Sequence, residues 1–434
     1  MKKMILKSKN LTWILSALLV FGLASCRKDN SLGFTPGTGA PIITAVHTLS
    51  KTDTSKTPTV ITAIDANGNI TKDTIGYAIN PAAFDSLTTN GNKQDYYVIS
   101  GKNLGSTTQI TFNGVVAYFN RALISDNSLV VSIPTTVPTI GAGATNKLIV
   151  TTLHGSVAYT FVTLTPVPTI VSTSDYNFWA GSQITLTGFG FATVSSVGVV
   201  GSTAQCSIVS QTDDQLTIQF PANVLPGVNE TNLQLTYIYN SSGSTKVSTS
   251  TQVFVDLDNA YNVFYMNNFQ NTWIDNSWAH PSGVSTAASH AGTASIVASY
   301  PAGGWQIEGW AGWNSSTGGI VYSSSYKYLT FWVKGGVVAH TLVLVGDKMY
   351  GGYGQVQNAN AYTAQLITVP AGVWTYFKIP LAAPSTPYSK SSTLLNFWAN
   401  GTTAQQLGFF LQGGLTNIPD VDETLYFDEV AFTK

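Results

Sequence analysis

The chain has 434 residues and a formal net charge of -1, with 20 Lys and Arg against 21 Asp and Glu. A nucleic-acid-binding protein carries a clustered basic face, and no such cluster occurs, so nucleic acid is excluded as a partner. Hydrophobic residues make up 44 % of the chain, which excludes extended disorder and allows sizeable cores. Only 9 % of the residues are charged. The surface must therefore be built from neutral polar residues, which suits uncharged ligands rich in hydroxyl groups.

Residues 1–25 have the features of an export signal. Four lysines open the segment: Lys2, Lys3, Lys7 and Lys9. The apolar run that follows, residues 11–23, is too short for an ordinary membrane span. It ends in Leu23-Ala24-Ser25-Cys26, which resembles a bacterial lipobox. That resemblance implies cleavage before Cys26 and a lipid anchor on its sulfur and amine; the alternative is a plain secretory signal followed by an incidental cysteine.

The segment behind the lipobox, residues 26–40, is a linker that begins with Arg27-Lys28-Asp29 and continues rich in Gly, Pro and Thr. The charged triplet resembles the short signal that sends Bacteroidetes lipoproteins to the outer face of the outer membrane. The predicted location is thus the outer membrane, lipid-anchored and facing the exterior.

Two segments of the next region repeat at a constant offset of 87 residues. Three blocks match in this way: residues 97–104 with 184–191, 109–114 with 196–201, and 128–134 with 215–221. Each alternates apolar and polar residues and stops at Gly, Asn or Pro, the pattern of half-buried antiparallel strands. Three blocks at one offset indicate a duplication, and short strands without a helical period predict two β-sandwiches.

The repeated turn, Gly101 followed by Leu104 and Gly188 followed by Phe191, resembles the IPT/TIG family of immunoglobulin-like domains. We expect positive φ at both glycines, with Leu104 and Phe191 closing the end of each core. The resemblance covers residues 41–166 and 167–257. A polar insertion at about residues 50–92 departs from it in the first copy and predicts an extra hairpin or loop. The two domains are interpreted as spacers.

Residues 258–434 differ in composition from the preceding domains, because aromatic residues are frequent and many glycines occur in pairs. Eight of the ten tryptophans lie here. Five strands are predicted: residues 328–334, 341–347, 374–381, 407–412 and 424–432. The last resembles the closing strand of the galactose-binding-like jelly rolls found in carbohydrate-binding modules. The predicted fold is all-β, with two tandem immunoglobulin-like sandwiches followed by a β-jelly-roll domain.

Eight tryptophans exceed what one small β domain buries comfortably, so some are expected to face solvent and stack on sugar rings. In residues 305–313, Gln306, Glu308 and Trp310 project together if the segment is extended, while Trp305 and Ile307 share the opposite face. Trp310 and Trp313 are the first candidates and Trp305 the likelier core residue of the three. The full set of predicted glycan-binding residues is Trp310, Trp313, Trp305, Glu308, Gln306, Trp278, Trp273, Tyr350, Tyr353 and Trp398.

The whole arrangement resembles the surface glycan-binding proteins of Bacteroidetes polysaccharide-utilisation systems. That resemblance implies a non-catalytic, monomeric lipoprotein that captures a neutral β-linked glycan such as xyloglucan, another β-glucan or a mannan. It implies as partners a TonB-dependent glycan transporter and a SusD-like binding protein. No cofactor is expected, although Asp420, Asp422 and Asp428 are candidates for a structural Ca²⁺.

Two alternatives remain from the sequence. A glycoside hydrolase needs two carboxylates across the scissile bond, and Glu308 among its tryptophans is the candidate acid with a raised pKa. A surface adhesin or surface-layer component would use the same sandwiches to bind protein or host glycan.

Overall fold

A computed structural model of the chain describes residues 34–49, 51–52, 60–64, 70–74, 79–80, 86–240, 242–259, 262–414 and 420–434. The predicted signal segment, Cys26 and its charged triplet lie outside these residues. Strands dominate, and the only helices in the described ranges are three single 3-10 turns: Phe191–Thr193, Asn358–Asn360 and Thr363–Gln365. None of the helices described is long and apolar enough to cross a bilayer. The prediction of an all-β fold is confirmed.

The chain forms two compact units. The first ends at Pro166 and also takes in Tyr239–Ser244, and the second comprises Val167–Ile238 and Thr245–Lys434. The second unit holds two sandwiches, one before and one after about residue 258.

The first unit is a sandwich of two four-stranded antiparallel sheets, ordered β1-β7-β11-β10 and β13-β12-β8-β9. Inward-facing residues such as Ile99, Leu129 and Val150 are fully buried between the sheets. The predicted insertion contains the β3–β4 hairpin and the β2–β5 pair, so the expectation of an extra hairpin is confirmed. The strands are β1 (Ile42–Thr48), β2 (Lys51–Thr52), β3 (Val60–Ile64), β4 (Ile70–Thr74), β5 (Ile79–Asn80), β6 (Asn90–Gly91), β7 (Tyr96–Lys102), β8 (Thr107–Phe112), β9 (Val115–Val116), β10 (Phe119–Ile124), β11 (Ser128–Ser132), β12 (Lys147–Thr152), β13 (Gly155–Thr160) and β14 (Val162–Thr163).

The second sandwich repeats the first at the predicted offset. Strands β7, β8 and β11 recur 87 residues later as β17, β18 and β20, with the same lengths. Its strands form one continuous path, β15-β17-β20-β19-β18-β21-β22-β16, in which β19 pairs with both halves. They are β15 (Thr169–Thr173), β16 (Asn177–Phe178), β17 (Gln183–Phe189), β18 (Val194–Val199), β19 (Gln205–Gln211), β20 (Gln215–Gln219), β21 (Glu230–Tyr239) and β22 (Ser244–Asp256).

The repeated glycine has a different role from the one predicted. Gly101 and Gly188 are not among the residues with positive φ; Asn103 (φ 58°) and Gly190 (φ 78°), two residues later in each copy, are. A Cβ on Gly101 or Gly188 would lie 1.9 Å from the backbone carbonyl oxygen of Ile42 or Thr169. Glycine is therefore required by close strand approach. Leu104 and Phe191 are fully buried, as predicted.

The C-terminal segment is a sandwich whose two sheets enclose the largest core. One sheet is ordered β24-β23-β36-β27-β26, with β30 also pairing to β36 and β33 to β30; the other is β25-β28-β35-β31-β32. The five predicted strands match β30, β31, β33, β35 and β36 to within two residues. The strands are β23 (Asn262–Met266), β24 (Asn268–Phe269), β25 (Ile274–Asp275), β26 (Ser282–Ser285), β27 (Ser295–Tyr300), β28 (Trp305–Ala311), β29 (Ile320–Val321), β30 (Tyr328–Lys334), β31 (His340–Val345), β32 (Leu366–Val369), β33 (Trp374–Pro380), β34 (Thr403–Ala404), β35 (Gln406–Gln412) and β36 (Glu423–Thr433).

Candidate functional site

The inner face of strand β28 carries the residues that were expected to meet the ligand. Trp310 is fully buried in the main core, and its indole N–H donates to Glu308 Oε1 at 3.1 Å. Glu308 is itself fully buried, and burial raises the pKa of its carboxyl group well above 4.5. The predicted alternation is correct, but the face assignment is wrong for Trp310 and Glu308, because the face that they share turns inward against the main core.

Two other predicted tryptophans are also core residues. Trp273 is 3 % exposed, and its ring packs edge-on against Phe264 with centroids 4.6 Å apart. Trp398 is fully buried and donates its indole N–H to the carbonyl of Ile320 at 3.1 Å. Trp398 has no exposed surface, so the prediction that it stacks on a ligand is wrong. Trp273 keeps a small exposed part that lines a surface pocket with Asn271, Thr272 and Ser315, so its role stays a prediction. In both cases an aromatic residue in a polar loop turned inward and filled the core.

The outer face of β28 lies beneath a long loop, residues 346–361. Trp305, on this face, is partly exposed and packs against Phe410, with ring centroids 5.9 Å apart. Gly309 on β28 lies opposite Gly408 on β35. A Cβ on Gly309 would come within 1.8 Å of the Tyr353 hydroxyl, and one on Gly408 within 2.9 Å of its ring. Because neither glycine has a side chain, the Tyr353 ring can lie directly on the sheet here. We call Gly309 and Gly408 the glycine floor.

Trp278 extends this surface beyond the edge of the sheet. The backbone N–H groups of Asn276 and Trp278 donate to the carbonyls of Gly309 and Ile307 at 2.8 and 2.7 Å, so residues 276–278 continue the edge begun by β25. The Trp278 side chain is 48 % exposed. Its ring stands edge-on to Tyr353 with centroids 6.1 Å apart. We call Trp278, Trp305 and Tyr353 the aromatic face.

Two hydrogen bonds connect residues of the aromatic face to the neighbouring chain segments. The Tyr353 hydroxyl donates to the Asn276 carbonyl at 2.9 Å, and the Gln355 amide donates to the Trp305 carbonyl at 2.8 Å. Among the described residues, no hydrogen-bond partner is found for the indole N–H of Trp278 or Trp305. These bonds hold the Tyr353 hydroxyl and the Trp305 backbone, while the two indole N–H donors stay available. None of the three side chains carries a charge.

The other predicted residues lie elsewhere. Trp313 is 43 % exposed but follows the far end of β28, about 20 Å along the strand from Trp305. Gln306 shares the inner parity of Glu308 and is partly exposed at the start of the strand. Tyr350 belongs to a separate tyrosine cluster with Tyr362 and Tyr388, whose rings lie 4.4–5.2 Å apart.

Tyr388 is a residue that the sequence analysis missed. It is 47 % exposed and lies in a loop without apolar alternation. Its neighbours Pro384 and Pro387 mark only a turn. The close packing of its ring on Tyr350 comes from residues far apart in the chain, so no local pattern could have indicated it.

The three acidic residues considered for Ca²⁺ bind two different turns. Asp420 and Asp422 accept hydrogen bonds from the backbone N–H groups of Gly303 and Ala302 at 2.6 and 2.9 Å. Asp428 instead accepts from the backbone N–H of His290 at 2.9 Å. Their oxygens are thus used as turn acceptors in the described residues.

Comparison with known proteins gives one sequence relative and several similar solved structures. No family model matches the chain. An IPT/TIG domain-containing protein from Bacteroides ovatus is 31 % identical over 121 residues, 27 % of this chain. The chain spans about a quarter of the length of that relative, 25 %.

Several solved structures align with most of the chain. A surface glycan-binding protein from Prevotella bryantii is 17 % identical, with a TM-score of 0.49 over 92 % of this chain and 99 % of its own. A second, from a complex xyloglucan utilisation locus in Bacteroides uniformis, is 15 % identical, with a TM-score of 0.38 over 91 % of this chain and 99 % of its own. A third, from a mixed-linkage glucan utilisation locus of Bacteroides ovatus and bound to a mixed-linkage heptasaccharide, is 12 % identical, with a TM-score of 0.25 over 78 % and 75 %. The chain is therefore similar to an IPT/TIG domain-containing protein of Bacteroides and to surface glycan-binding proteins, the resemblance predicted from its sequence.

Proposed function

We propose that this protein binds a neutral polysaccharide at a cell surface, and that the aromatic face of Trp278, Trp305 and Tyr353 contacts the sugar rings. The observation that carries the proposal is the exposure of uncharged aromatic rings, with free indole N–H donors, on a rigid sheet. The C–H face of a pyranose stacks on such rings while its hydroxyls bond at the rim. The resemblance to surface glycan-binding proteins favours a β-linked polymer such as xyloglucan, another β-glucan or a mannan.

The expected affinity is modest. Stacking on an aromatic ring is worth roughly 1–3 kcal/mol, by analogy with nucleobases. Two or three rings and a few hydrogen bonds, reduced by the cost of ordering the ligand, correspond to a Kd of about 1 µM to 1 mM. Such binding suits a long repetitive polymer held by many copies at once.

A hydrolase built on Glu308 is disfavoured. The carboxyl group of Glu308 points into the core beside Trp310 and has no exposed surface, whereas a glycosidase acid must reach the glycosidic oxygen. A binding role without catalysis therefore accounts better for the site.

The anchor and the partners belong to the proposal. Acylation of Cys26 would tether the chain to the outer membrane, and the immunoglobulin-like sandwiches would hold the aromatic face away from the bilayer. A TonB-dependent glycan transporter and a SusD-like protein are the proposed partners for uptake.

Affinity gel electrophoresis against soluble polysaccharides tests the function. We expect retardation of the full-length protein by one neutral β-linked polymer, lost in Trp278→Ala and kept in Trp313→Ala, which removes a similarly exposed indole elsewhere. Incubation with the same polymer should release no new reducing ends. Indifference to every polymer would favour the adhesin, and release of reducing ends would favour the hydrolase.

A further inference from the structure

A cluster of buried ionisable side chains lies where the second immunoglobulin-like sandwich meets the C-terminal one. Asp175 comes from the turn between β15 and β16, His290 from the turn between β26 and β27, and Glu429 from β36. Asp175 and Glu429 are 5 % and 1 % exposed, and the side chain of His290 is 10 % exposed. One ligand atom from each residue can be chosen so that all three lie within 4.8 Å of one another. The cluster lies away from the aromatic face and is not used by the proposed function.

The imidazole of His290 faces both carboxylates through the same nitrogen. Its Nδ1 lies 3.5 Å from Asp175 Oδ2 and 3.4 Å from Glu429 Oε2, yet makes no hydrogen bond. A neutral imidazole binds a metal ion through either ring nitrogen, so an Nδ1 that has no hydrogen-bond partner is available as a ligand.

The spacing of the three atoms fits a shared cation. Ligand atoms 2.0–2.2 Å from a tetrahedral Zn²⁺ lie about 3.3–3.6 Å from one another. The two separations to His290 Nδ1, 3.5 and 3.4 Å, fall in this range, and the two carboxylate oxygens lie within 4.8 Å of each other. Asn177 is fully buried beside the cluster and donates its side-chain amide N–H to Glu429 Oε2 at 3.2 Å.

The surroundings hold these groups in place. Asp175 Oδ1 accepts hydrogen bonds from the Trp332 indole at 3.3 Å and from the backbone N–H of Asn177 at 3.0 Å. The His290 ring stacks on Trp332 with centroids 3.7 Å apart. Glu429 has φ of 50°, a strained conformation for a residue with a side chain. Positions that store strain gather at functional sites, and here the strain accompanies a buried carboxylate.

Charge completes the argument. Two ionised carboxylates and a neutral imidazole would place a net charge of about -2 in a buried site, which is costly unless it is neutralised. We propose that Asp175, His290 and Glu429 bind a divalent transition metal ion such as Zn²⁺, which links the second immunoglobulin-like sandwich to the C-terminal sandwich. An imidazole ligand disfavours the hard cations Ca²⁺ and Mg²⁺, which take oxygen ligands.

The test measures metal content and melting temperature of the full-length protein, extracted in detergent and carrying no polyhistidine tag. After EDTA treatment and dialysis against ZnCl₂, we expect one zinc per chain by mass spectrometry and a melting temperature raised by several degrees. His290→Ala and Glu429→Gln should lose the zinc, while His154→Ala, which removes an exposed imidazole, should keep it. CaCl₂ and MgCl₂ should cause no comparable rise.

If a substitution prevents folding, zinc binding by the wild-type protein still tests the proposal. X-ray absorption at the zinc edge should show one imidazole nitrogen in a shell of oxygen ligands. The proposal is overturned if wild-type protein takes up no stoichiometric zinc, if zinc remains in a folded His290→Ala variant, or if the ligand shell contains sulfur.

Discussion

The two faces of strand β28 show how one segment serves two purposes. On its inner face, Trp310 is fully buried and bonded to Glu308. On its outer face, Trp305 stays partly exposed, and Gly309 supports Tyr353. Both faces carry aromatic residues, yet only the outer one can present a ring to a ligand. The difference lies in what covers each face: a second sheet on the inside, and a loop that leaves gaps on the outside.

The largest effect is expected on the inner face. Trp310→Ala removes a fully buried indole and leaves a cavity, so it should cost about 3–5 kcal/mol in the free energy of unfolding. Urea denaturation followed by circular dichroism measures this. Trp313→Ala is the matched control and should change the stability by no more than roughly 0.5 kcal/mol. A stable Trp310→Ala variant that had lost glycan binding would contradict the assignment of this face to the core.

Next comes the exposed ring of the outer face. Trp278→Ala should weaken binding by roughly 1–3 kcal/mol, a loss of about 5- to 150-fold in affinity, because one stacking surface disappears. Isothermal titration calorimetry, with the polymer that retards the wild-type protein in the gel, measures this loss of affinity. Stability should hardly change, since the side chain is 48 % exposed. An unchanged affinity would remove Trp278 from the site.

A smaller effect is expected from the glycine floor. The new Cβ in Gly309→Ala would overlap the Tyr353 hydroxyl and lift its ring from the sheet, so affinity should fall although no aromatic residue is removed. Overpacking of this kind costs about 1–3 kcal/mol at most sites. The control is Gly354→Ala, on the same loop, where a Cβ would meet nothing within 4 Å. Equal affinities for the two variants would show that the position of Tyr353 is irrelevant to binding.

The smallest effect concerns the pH dependence of stability. Burial raises the pKa of Glu308 well above 4.5, so the fold favours its protonated form. Its contribution to stability is complete below the pKa of the unfolded chain and is lost as the pH rises through the folded value. Glu308→Gln cannot titrate, so its stability relative to wild type should increase as the pH is raised from 5 to 9. Denaturant unfolding of both proteins, in EDTA and across this range, measures the difference; a decrease with pH would contradict the buried protonated state.

Much of the fold could be predicted from the sequence, because strand alternation and turn residues are local. The duplicated strands recur at the predicted offset of 87 residues, and β30 begins and ends at the predicted residues. The role of Gly101 could not be predicted, since the carbonyl that excludes a Cβ belongs to Ile42 on another strand.

The site was predictable only in part. Alternation correctly paired Glu308 with Trp310, but a period of two does not say which face turns inward. Trp278, Trp305 and Tyr353 were all among the candidates, whereas the contact of Tyr353 with Trp278 and of Gln355 with Trp305 depends on a loop that folds back over the sheet. The buried cluster of Asp175, His290 and Glu429 joins residues more than a hundred positions apart, which no spacing in the sequence indicates.

The most direct test of the aromatic face is oxidation of exposed tryptophans by N-bromosuccinimide, mapped by peptide mass spectrometry. The reaction is run with and without the polysaccharide that retards the protein in the affinity gel. Without the polymer, Trp278 and Trp313 should both be oxidised, because their exposures are similar at 48 % and 43 %. With the polymer, we predict protection of Trp278 and Trp305 while Trp313 remains reactive. Protection of Trp313 with continued oxidation of Trp278 would contradict the account.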